Sequence, residues 1–217
     1  MLDTVVARYL TASDIDEMVK VENETWIPLI RAPKERMLYR LENGHRYFGY
    51  VINGELAGMV GLSYQHIKSP EDFPSDFSTF SSGKSELDRE SVAYIYNVGV
   101  AKKFQKQGVG KKMVQETFQK IREDGVKEIY LDGRCPSYNG SKDFPEIEFV
   151  DQQLEFKRRI DECVRENKVP TPEDVMFDPT LRFYSKLGFV PIKLSANFLT
   201  ADKAAGGFRV IMYQRLE

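Results

Sequence analysis

The chain has 217 residues and a formal net charge of −2 at pH 7. With an isoelectric point near 5.9, this argues against nucleic acid or an anionic membrane as the main partner. Hydrophobic residues make up 41% of the sequence, enough for the core of a single domain over 1–217 with one insertion. There is no signal-peptide pattern, no apolar run near the roughly 18–20 residues of a membrane span, and no CxxC pair. We therefore expect a cytoplasmic protein.

The first third of the chain predicts a strand followed by two helices. An apolar run at 5–10 predicts a strand, and Thr11 or Ser13 can cap the helix that follows. Pro33 can stand in the first turn of a second helix, which Asn43-Gly44 ends. These signals place two helices before the first hairpin.

The clearest hairpin signal is the dipeptide Asn53-Gly54 between apolar runs at 46–52 and 55–64. Asn-Gly at this place favours a type I′ turn, which sets the pairing of the two strands. The segment 68–90 is then rich in Ser, Pro, Asp and Lys, with scattered phenylalanines at 73, 77 and 80. It is interpreted either as a surface loop whose aromatic rings pack back onto the body or as a flap facing the substrate.

The stretch 98–111 carries the main sign of a binding site. Residues 91–97 are rich in β-branched and aromatic side chains and predict a strand, and a helix that stops at Gly125 comes after the stretch. A strand that enters a helix through Gly108 and Gly110 leaves backbone N–H groups unpaired at the positive end of the helix dipole. This pattern predicts an anion site, for which a phosphate is the natural ligand.

Two other glycine-rich phosphate motifs are excluded. Lys111 is followed by Lys112 and not by a hydroxyl residue, so the P-loop of nucleoside triphosphatases, and with it a nucleotide-binding switch, is disfavoured. The loop is not G-x-G-x-x-G either, and no βαβ unit at the N-terminus supports a dinucleotide fold. The spacing Gln105-x-x-Gly108-x-Gly110 by itself is also compatible with a helix-entry turn chosen for close packing.

The second half of the chain breaks the alternation of strands and helices. A strand is predicted at 127–132, and 133–175 is interpreted as an insertion because it has too little apolar content for its own core. A helix opening at Asp178-Pro179 leads to a final strand pair at 189–194 and 208–213, which gives a mixed α/β pattern. The charged helix of the insertion could bury a face formed by Val150, Leu154, Cys163 and Val164.

A second motif follows on the helix after the insertion. Phe183-Tyr184-Ser185-Lys186-Leu187-Gly188-Phe189 matches F-Y-x-x-x-G-F and runs into a strand. With the loop 105–110 before it, the sequence resembles the GNAT acyltransferase superfamily over about 5–213, the insertion excepted. The resemblance implies the GNAT acyl-CoA N-acyltransferase fold (α/β, or α+β), with a mixed, mostly antiparallel sheet of about seven strands flanked by helices. It also implies acetyl-CoA as co-substrate.

The resemblance assigns a cofactor role to the strand, the loop and one aspartate. The amides of 106–111 would hold the CoA pyrophosphate, and the backbone of Val98 and Val100 would pair with the pantetheine arm. Asp178 lies near the position where the family often has a cofactor-contacting Asn, although the spacing to Tyr184 is one residue short. The implied cofactor-binding residues are Val98, Gly99, Val100, Gln105, Lys106, Gln107, Gly108, Val109, Gly110, Lys111 and Asp178.

Tyr184 would act as the general acid that protonates the departing thiolate, and a packed helix tyrosine is the structural alternative. Family members often use a strand glutamate as the base, but here Tyr94 stands at the corresponding position and the nearest carboxylate is Glu90. Tyr94, Glu90 or a water chain remain open as the base. No metal is expected, since His45 and His66 are too few and badly spaced for zinc.

The acceptor is the least determined part of the reaction. The segment Gly133-Arg134-Cys135-Pro136, with the insertion, is similar to a GNAT subgroup, which suggests that the insertion forms one wall of the acceptor site. Arg134 could pair with a substrate carboxylate or form a structural salt bridge. The leading hypothesis is direct transfer from acetyl-CoA to a primary amine of a small molecule or a protein. A catalytically weak CoA-binding sensor is the alternative, and the resemblance leaves a homodimer open.

Overall fold

The computed structural model describes residues 4–139 and 150–217. Its strands are β1 (Val5–Leu10), β2 (Arg46–Ile52), β3 (Glu55–Gln65), β4 (Val92–Val100), β5 (Glu128–Arg134), β6 (Val190–Ser195) and β7 (Arg209–Arg215). Its helices are α1 (Ile15–Thr25), α2 (Lys34–Glu42), α3 (Phe77–Ser82), α4 (Val109–Glu123), α5 (Val150–Glu166), α6 (Pro172–Val175) and α7 (Pro179–Ser185). No helix of this described part is long and apolar enough to cross a membrane.

The strands form a seven-stranded sheet in the order β1-β2-β3-β4-β5-β7-β6. The pairs β1–β2, β2–β3, β3–β4 and β6–β7 are antiparallel. The mixed sheet with flanking helices confirms the predicted fold class. The chain divides into two compact units, one of Met1–His66, Ser81–Ile129 and Leu216–Glu217, the other of Ile67–Phe80 and Tyr130–Arg215. Each unit is described by itself, and the single-domain organisation stays a prediction.

In the first unit, α1 and α2 bury their apolar faces with β2 and β3. The predicted turn is confirmed, because Asn53 and Gly54 both adopt positive φ (51° and 81°), as a type I′ hairpin turn requires. The core of this unit is formed by Leu10, Ile15, Met18, Val21, Met37, Tyr47, Leu56, Met59 and Ala101.

A β-bulge interrupts the pairing of β3 with β4. Gly61 pairs with Asn97 but Leu62 pairs with Ile95, so Tyr96 is an additional residue on β4. A Cβ atom at Gly61 would lie 2.8 Å from the Tyr96 ring, which explains why glycine is needed opposite the bulge. The bulge changes the direction in which the following residues, including Asn97, present their side chains.

One carboxylate fastens the end of α4 to three strands. Asp124 Oδ2 accepts hydrogen bonds from Tyr9 Oη, Arg46 Nη1 and Tyr64 Oη at 2.9, 2.7 and 2.5 Å. The Arg46 guanidinium also lies over the rings of Tyr9 and Tyr64, 5.2 and 5.1 Å from their centroids. Because β1, β2 and β3 each contribute one donor, the cluster joins the helix end to the sheet.

We expect Asp124→Ala to lower the free energy of unfolding by about 3 kcal/mol, because it leaves one buried and two half-buried donors without their acceptor. Urea denaturation followed by circular dichroism measures the change. Asp16→Ala is the control, since the exposed Asp16–Lys34 pair is expected to contribute at most about 1 kcal/mol. Equal midpoints for the two variants would contradict the role given to Asp124.

The contribution of Asp14 to the free energy of unfolding depends on pH. Its carboxylate accepts from the Arg8 guanidinium at 2.6 and 2.9 Å and from the Thr11 amide at 2.9 Å. The hydrogen bond to Arg8 is the largest cause that lowers the pKa of Asp14 from 3.8 to about 2. Folding therefore favours the ionised form, so the stabilisation is full above the ordinary pKa and is lost as the pH falls through the folded value.

Asp14→Asn should accordingly cost about 1 kcal/mol at pH 7, a figure reduced for the solvent exposure of Arg8, and almost nothing at pH 2. Thermal unfolding of both proteins at several pH values measures the difference. A constant difference from pH 7 to pH 2 would show that the ionised carboxylate is not the cause.

The second unit contains the aromatic residues of the segment 68–90, for which the sequence predicts a loop or a flap. Phe73 is buried, and its ring centroid lies 4.8 Å from Phe80, 6.1 Å from Tyr130 and 6.0 Å from Phe198. This confirms the interpretation in which the aromatic rings pack back onto the body. The segment is not without regular structure, since part of it forms α3.

The predicted buried face of the charged helix is confirmed at Cys163 and wrong at Leu154 and Val164. In α5 the buried side chains are Phe156, Ile160 and Cys163, whose spacing of four and three residues follows one helical stripe. Leu154 is 61% exposed and Val164 is 48% exposed, so two of the four residues predicted on that face lie outside it. Residues 140–149 of the predicted insertion lie outside the described residues, and the insertion remains a prediction.

Candidate functional site

The loop after β4 has a backbone shaped by two left-handed residues. β4 ends at Val100, and α4 begins at Val109. Between them, Lys106 and Gly108 have φ angles of 60° and 78°. Gly108 is the N-cap residue of α4 and supplies no side chain to cap the helix, so the first helical amides are left to another acceptor.

The consequence is a row of unpaired donors. The first hydrogen bond of the helix runs from Lys112 N to the Gly108 carbonyl at 3.2 Å, and the six amides of 106–111 have no acceptor within the described part of the chain. Successive free N–H groups around left-handed residues form an anion-binding concavity, and the α4 dipole adds to it. The exposed ammonium groups of Lys106 and Lys111 can add positive charge. The geometry fits a phosphate or a diphosphate.

The two glutamines of the loop support it from within. Gln105 Nε2 donates to the Val100 carbonyl at 2.9 Å, and Gln107 Nε2 donates to the Lys103 carbonyl at 2.6 Å. The backbone N–H group of Gln105 is also engaged, because it donates to Lys102 O at 3.2 Å. In this structure Gln105 therefore holds the loop, and Gln107 offers a free backbone amide but not a free side chain.

The end of β4 directs alternate backbone groups away from β3. Ala101 N donates to Ala57 O at 2.9 Å, and Gly99 pairs with Met59, so the odd-numbered residues here bond to β3. In an antiparallel pair the intervening residues, Val98 and Val100, point their N–H and C=O groups to the other side. This direction fits the predicted pairing of these two valines with an extended ligand.

Tyr184 lies in the second unit, on α7. Its ring is half-buried between Phe183 and Phe189, with centroid distances of 5.3 and 6.0 Å. Burial, and after it the negative charge of Asp132, raises the pKa of the Tyr184 phenol above its ordinary value of 10.0. The hydroxyl is therefore protonated at neutral pH, as a proton donor must be.

The structure gives Asp178 a different role from the predicted cofactor contact. Asp178 is the N-cap of α7, and its Oδ1 accepts from the amides of Thr180 and Leu181 at 2.8 and 3.1 Å. Its Oδ2 accepts from the Ser137 amide at 2.9 Å, and the side chain is fully buried. Both oxygens thus serve the local fold. The helix predicted to open at Asp178-Pro179 does begin there, with aspartate as the N-cap and proline at the first helical position.

Of the two residues predicted as the base, Tyr94 is buried but is not a carboxylate, and Glu90 is a carboxylate but is exposed. Tyr94 is fully buried, with its ring centroid 6.0 Å from that of Tyr96. Glu90 is exposed in the turn before β4, where its amide donates to Asp88 Oδ1 at 2.9 Å. His66 is also at the surface, paired with Asp88 at 2.8 Å. The base therefore stays open among Tyr94, Glu90 and water.

Sequence analysis missed a carboxylate that reaches β4 from α1. Glu22 is 2% exposed, and its Oε2 accepts from Asn97 Nδ2 at 2.7 Å. The signal was present, because Glu22 continues the apolar stripe of Ile15 and Met18 at helical spacing and so had to face the core. A charged residue on such a stripe needs a buried partner, which the sequence could not identify.

Arg134 forms a structural salt bridge, the second of the two roles predicted for it. Its Nε and Nη2 donate to the two oxygens of Asp202 at 2.7 and 2.8 Å, and Asp202 is fully buried. Asp202 also pairs with Arg209 at 3.0 Å, and Arg209 lies 3.3 Å from Asp132. The guanidinium of Arg134 is therefore engaged in a bidentate ion pair inside the protein and is not directed at a substrate carboxylate.

The fold is α+β. Its strand, its row of unpaired amides and its helix form a site of the kind that binds phosphate groups in many proteins. Comparison with known sequences specifies the family, because the pattern of the acetyltransferase (GNAT) family matches residues 14–146. The chain belongs to this family and is an acyltransferase.

Individual relatives are distant. A Bacillus subtilis (strain 168) protein named YkwB and described as an uncharacterized N-acetyltransferase is 21% identical over 220 residues, covering 97% of this chain and 88% of that protein. The GphF GNAT-like decarboxylase in complex with isobutyryl-CoA superposes with a TM-score of 0.72 at 16% identity, covering 98% of this chain and 100% of that one. The GNATL loading domain of CurA from Lyngbya majuscula gives 0.69 at 16% identity, with 98% of each chain covered. These two structures show a shared fold.

Proposed function

We propose that the protein transfers the acetyl group of acetyl-CoA to a primary amine of a small molecule or a protein, in one direct step. The observation that carries the proposal is the row of unpaired amides at 106–111, at the positive end of α4. A CoA pyrophosphate would accept hydrogen bonds from these amides and gain from the helix dipole. Lys106 and Lys111 would add charge without fixed geometry.

The donor arm would continue along β4. The outward N–H and C=O groups of Val98 and Val100 would pair with the pantetheine amides as an added strand does. An N–H group there would also polarise the thioester carbonyl and stabilise the oxyanion that forms on attack. Both tasks depend on backbone groups that β3 does not use.

In the transfer itself, the amine nitrogen forms a bond to the thioester carbon and the C–S bond breaks. The nitrogen loses a proton to a base that is still open among Tyr94, Glu90 and water. The thiolate takes a proton from the Tyr184 hydroxyl, which the family resemblance assigns as general acid. The Tyr184 phenol, whose pKa lies above 10.0, carries its proton at neutral pH when the thiolate departs.

The comparisons support the general chemistry and leave the acyl group to be tested. The B. subtilis relative is described as an N-acetyltransferase, which supports an amine acceptor. The GphF structure holds isobutyryl-CoA and carries the name decarboxylase, so a branched acyl chain and a decarboxylation belong in the experiment. Location in the cytoplasm, a homodimer and the absence of a metal also remain expectations.

The test combines calorimetry with acyl-CoA and a thiol-release assay on a panel of polyamines, amino acids and aminoglycosides. We expect micromolar binding of acetyl-CoA and amine-dependent release of CoA. Binding without turnover would favour the sensor alternative, and no binding would refute the proposal. Isobutyryl-CoA and malonyl-CoA in the same assay, with detection of carbon dioxide for the latter, separate acetyl transfer from the other two acyl-CoA reactions.

A further inference from the structure

A buried carboxylate and a buried amide meet beside the bulge of β4. Glu22 on α1 is 2% exposed and Asn97 on β4 is 6% exposed. Asn97 Nδ2 donates to Glu22 Oε2 at 2.7 Å, and the Ala32 amide donates to Glu22 Oε1 at 2.8 Å. Glu22 thus connects α1, the chain before α2 and β4 through two charge-assisted hydrogen bonds.

This arrangement determines which way the Asn97 amide faces. A carboxylate accepts hydrogen bonds and cannot donate one, so the NH₂ group of Asn97 must point to Glu22 and the carbonyl oxygen must point elsewhere. Asn97 Oδ1 is buried and has no hydrogen-bond partner within the described part of the chain. A buried carbonyl oxygen without a donor is costly, which indicates that a ligand or water supplies the donor.

Gly99 leaves space beside this oxygen. A Cβ atom at position 99 would lie 3.5 Å from Asn97 Oδ1 and 3.1 Å from Thr25 Oγ1, so any larger side chain would cover the oxygen. The nearby Thr25 hydroxyl does not satisfy it, because that hydroxyl donates to Val21 O at 2.8 Å. Asn97 is also the neighbour of Val98, whose backbone would bind the thioester end of the donor.

We propose that Asn97 Oδ1 accepts a hydrogen bond from the N–H group of the acceptor amine, and that Glu22 is the positioning residue that fixes the Asn97 amide for this contact. This inference rests on the proposed function and adds a residue on the acceptor side. It assigns no proton transfer to Glu22, whose two oxygens both accept hydrogen bonds from N–H groups. The ligand class is an uncharged primary amine.

The first test is a set of substitutions that reverse the hydrogen bond. In Glu22→Gln the glutamine oxygen is needed to accept from the Ala32 amide, so the new NH₂ group faces Asn97. The Asn97 amide must then turn around, so that its carbonyl oxygen accepts from the glutamine. We expect kcat/KM for the amine to fall at least 10-fold, with the acetyl-CoA Kd unchanged within twofold. In the double variant Glu22→Gln with Asn97→Asp, glutamine donates to one aspartate oxygen and the other takes the place of Oδ1. We expect this variant to recover to within about threefold of wild type.

Two control variants distinguish loss of the proposed contact with the amine from a change in folding. Glu17→Gln alters an exposed glutamate of the same helix and should leave kcat/KM and Tm unchanged. Asn97→Leu removes both groups and should lower kcat/KM as Glu22→Gln does. If the double variant has the Tm and acetyl-CoA Kd of wild type but stays as slow as Glu22→Gln, or if Asn97→Leu matches wild type, Asn97 has only a structural role.

A readout without turnover distinguishes this inference from the proposed function. In protein labelled with ¹⁵N at asparagine side chains and saturated with CoA, the Asn97 NH₂ signal should shift when n-propylamine is added, and Glu22→Gln should abolish the shift. Loss of acetyl-CoA binding or turnover in wild type would refute the proposed function. An Asn97 signal that ignores the amine, in a protein that binds and transfers acetyl groups, would refute the present inference alone.

Discussion

Gly108→Glu is expected to weaken acetyl-CoA binding at least 100-fold, or about 2.7 kcal/mol. The substitution places a negative charge beside the unpaired amides of 106–111, where the CoA pyrophosphate would bind. A Cβ atom at Gly108 would meet nothing within 4 Å, so the loss does not come from a clash with the protein. The φ angle of 78° does add strain of about 1–2 kcal/mol in folding.

The same helix supplies a matched control for that strain. Gly125, just past the other end of α4, has a φ of 83°, is exposed, and has open space around its Cβ position. Gly125→Glu therefore carries a similar backbone cost with no anion site next to it. Calorimetry should find an acetyl-CoA Kd within about twofold of wild type for Gly125→Glu. If both variants bind equally well, the loop is not the pyrophosphate site.

Tyr184→Phe is expected to lower kcat about 100-fold while the acetyl-CoA Kd changes little, because a general acid contributes on this scale. The phenyl ring keeps the contacts with Phe183 and Phe189, so packing is largely retained. Only the proton for the departing thiolate is lost. Steady-state release of CoA measures kcat, and calorimetry measures binding.

Tyr39→Phe is the matched control, since it removes a hydroxyl from a 44% exposed tyrosine that donates to Ser82 O. Its kcat should equal that of wild type. The pH profile adds a second criterion. Because burial and Asp132 raise the pKa of Tyr184 above 10.0, kcat of wild type should show no loss from phenol ionisation between pH 8 and pH 10. A kcat for Tyr184→Phe within threefold of wild type would leave the tyrosine as a packing residue.

Local sequence patterns predicted much of the fold and the anion site proposed for the donor. Asn53-Gly54 predicts its turn because few other dipeptides take two successive positive φ angles. The loop with Gly108 predicts an anion site because the unpaired amides belong to consecutive residues. In both cases the interacting groups are close in sequence, so spacing alone is informative.

The tertiary structure decided the features that join distant segments. Asp178 caps α7 and binds the Ser137 amide, 41 positions away. Arg134 pairs with Asp202, and the buried stripe of α5 runs through Phe156 rather than Leu154. Burial and pairing of a side chain depend on which other segment packs against it, and the residue's own neighbours in sequence do not specify this.

The stretch 98–111 shows both what the sequence predicts and what only the folded chain decides. Its sequence predicted the strand, the glycine loop and the helix, and with them an anion site. The partner of Asn97 came from α1, because the 2.7 Å hydrogen bond to Glu22 forms only after the helix has packed on β4. A donor site made of consecutive backbone amides can be predicted from sequence, whereas an acceptor contact made of side chains from separate elements requires the folded chain.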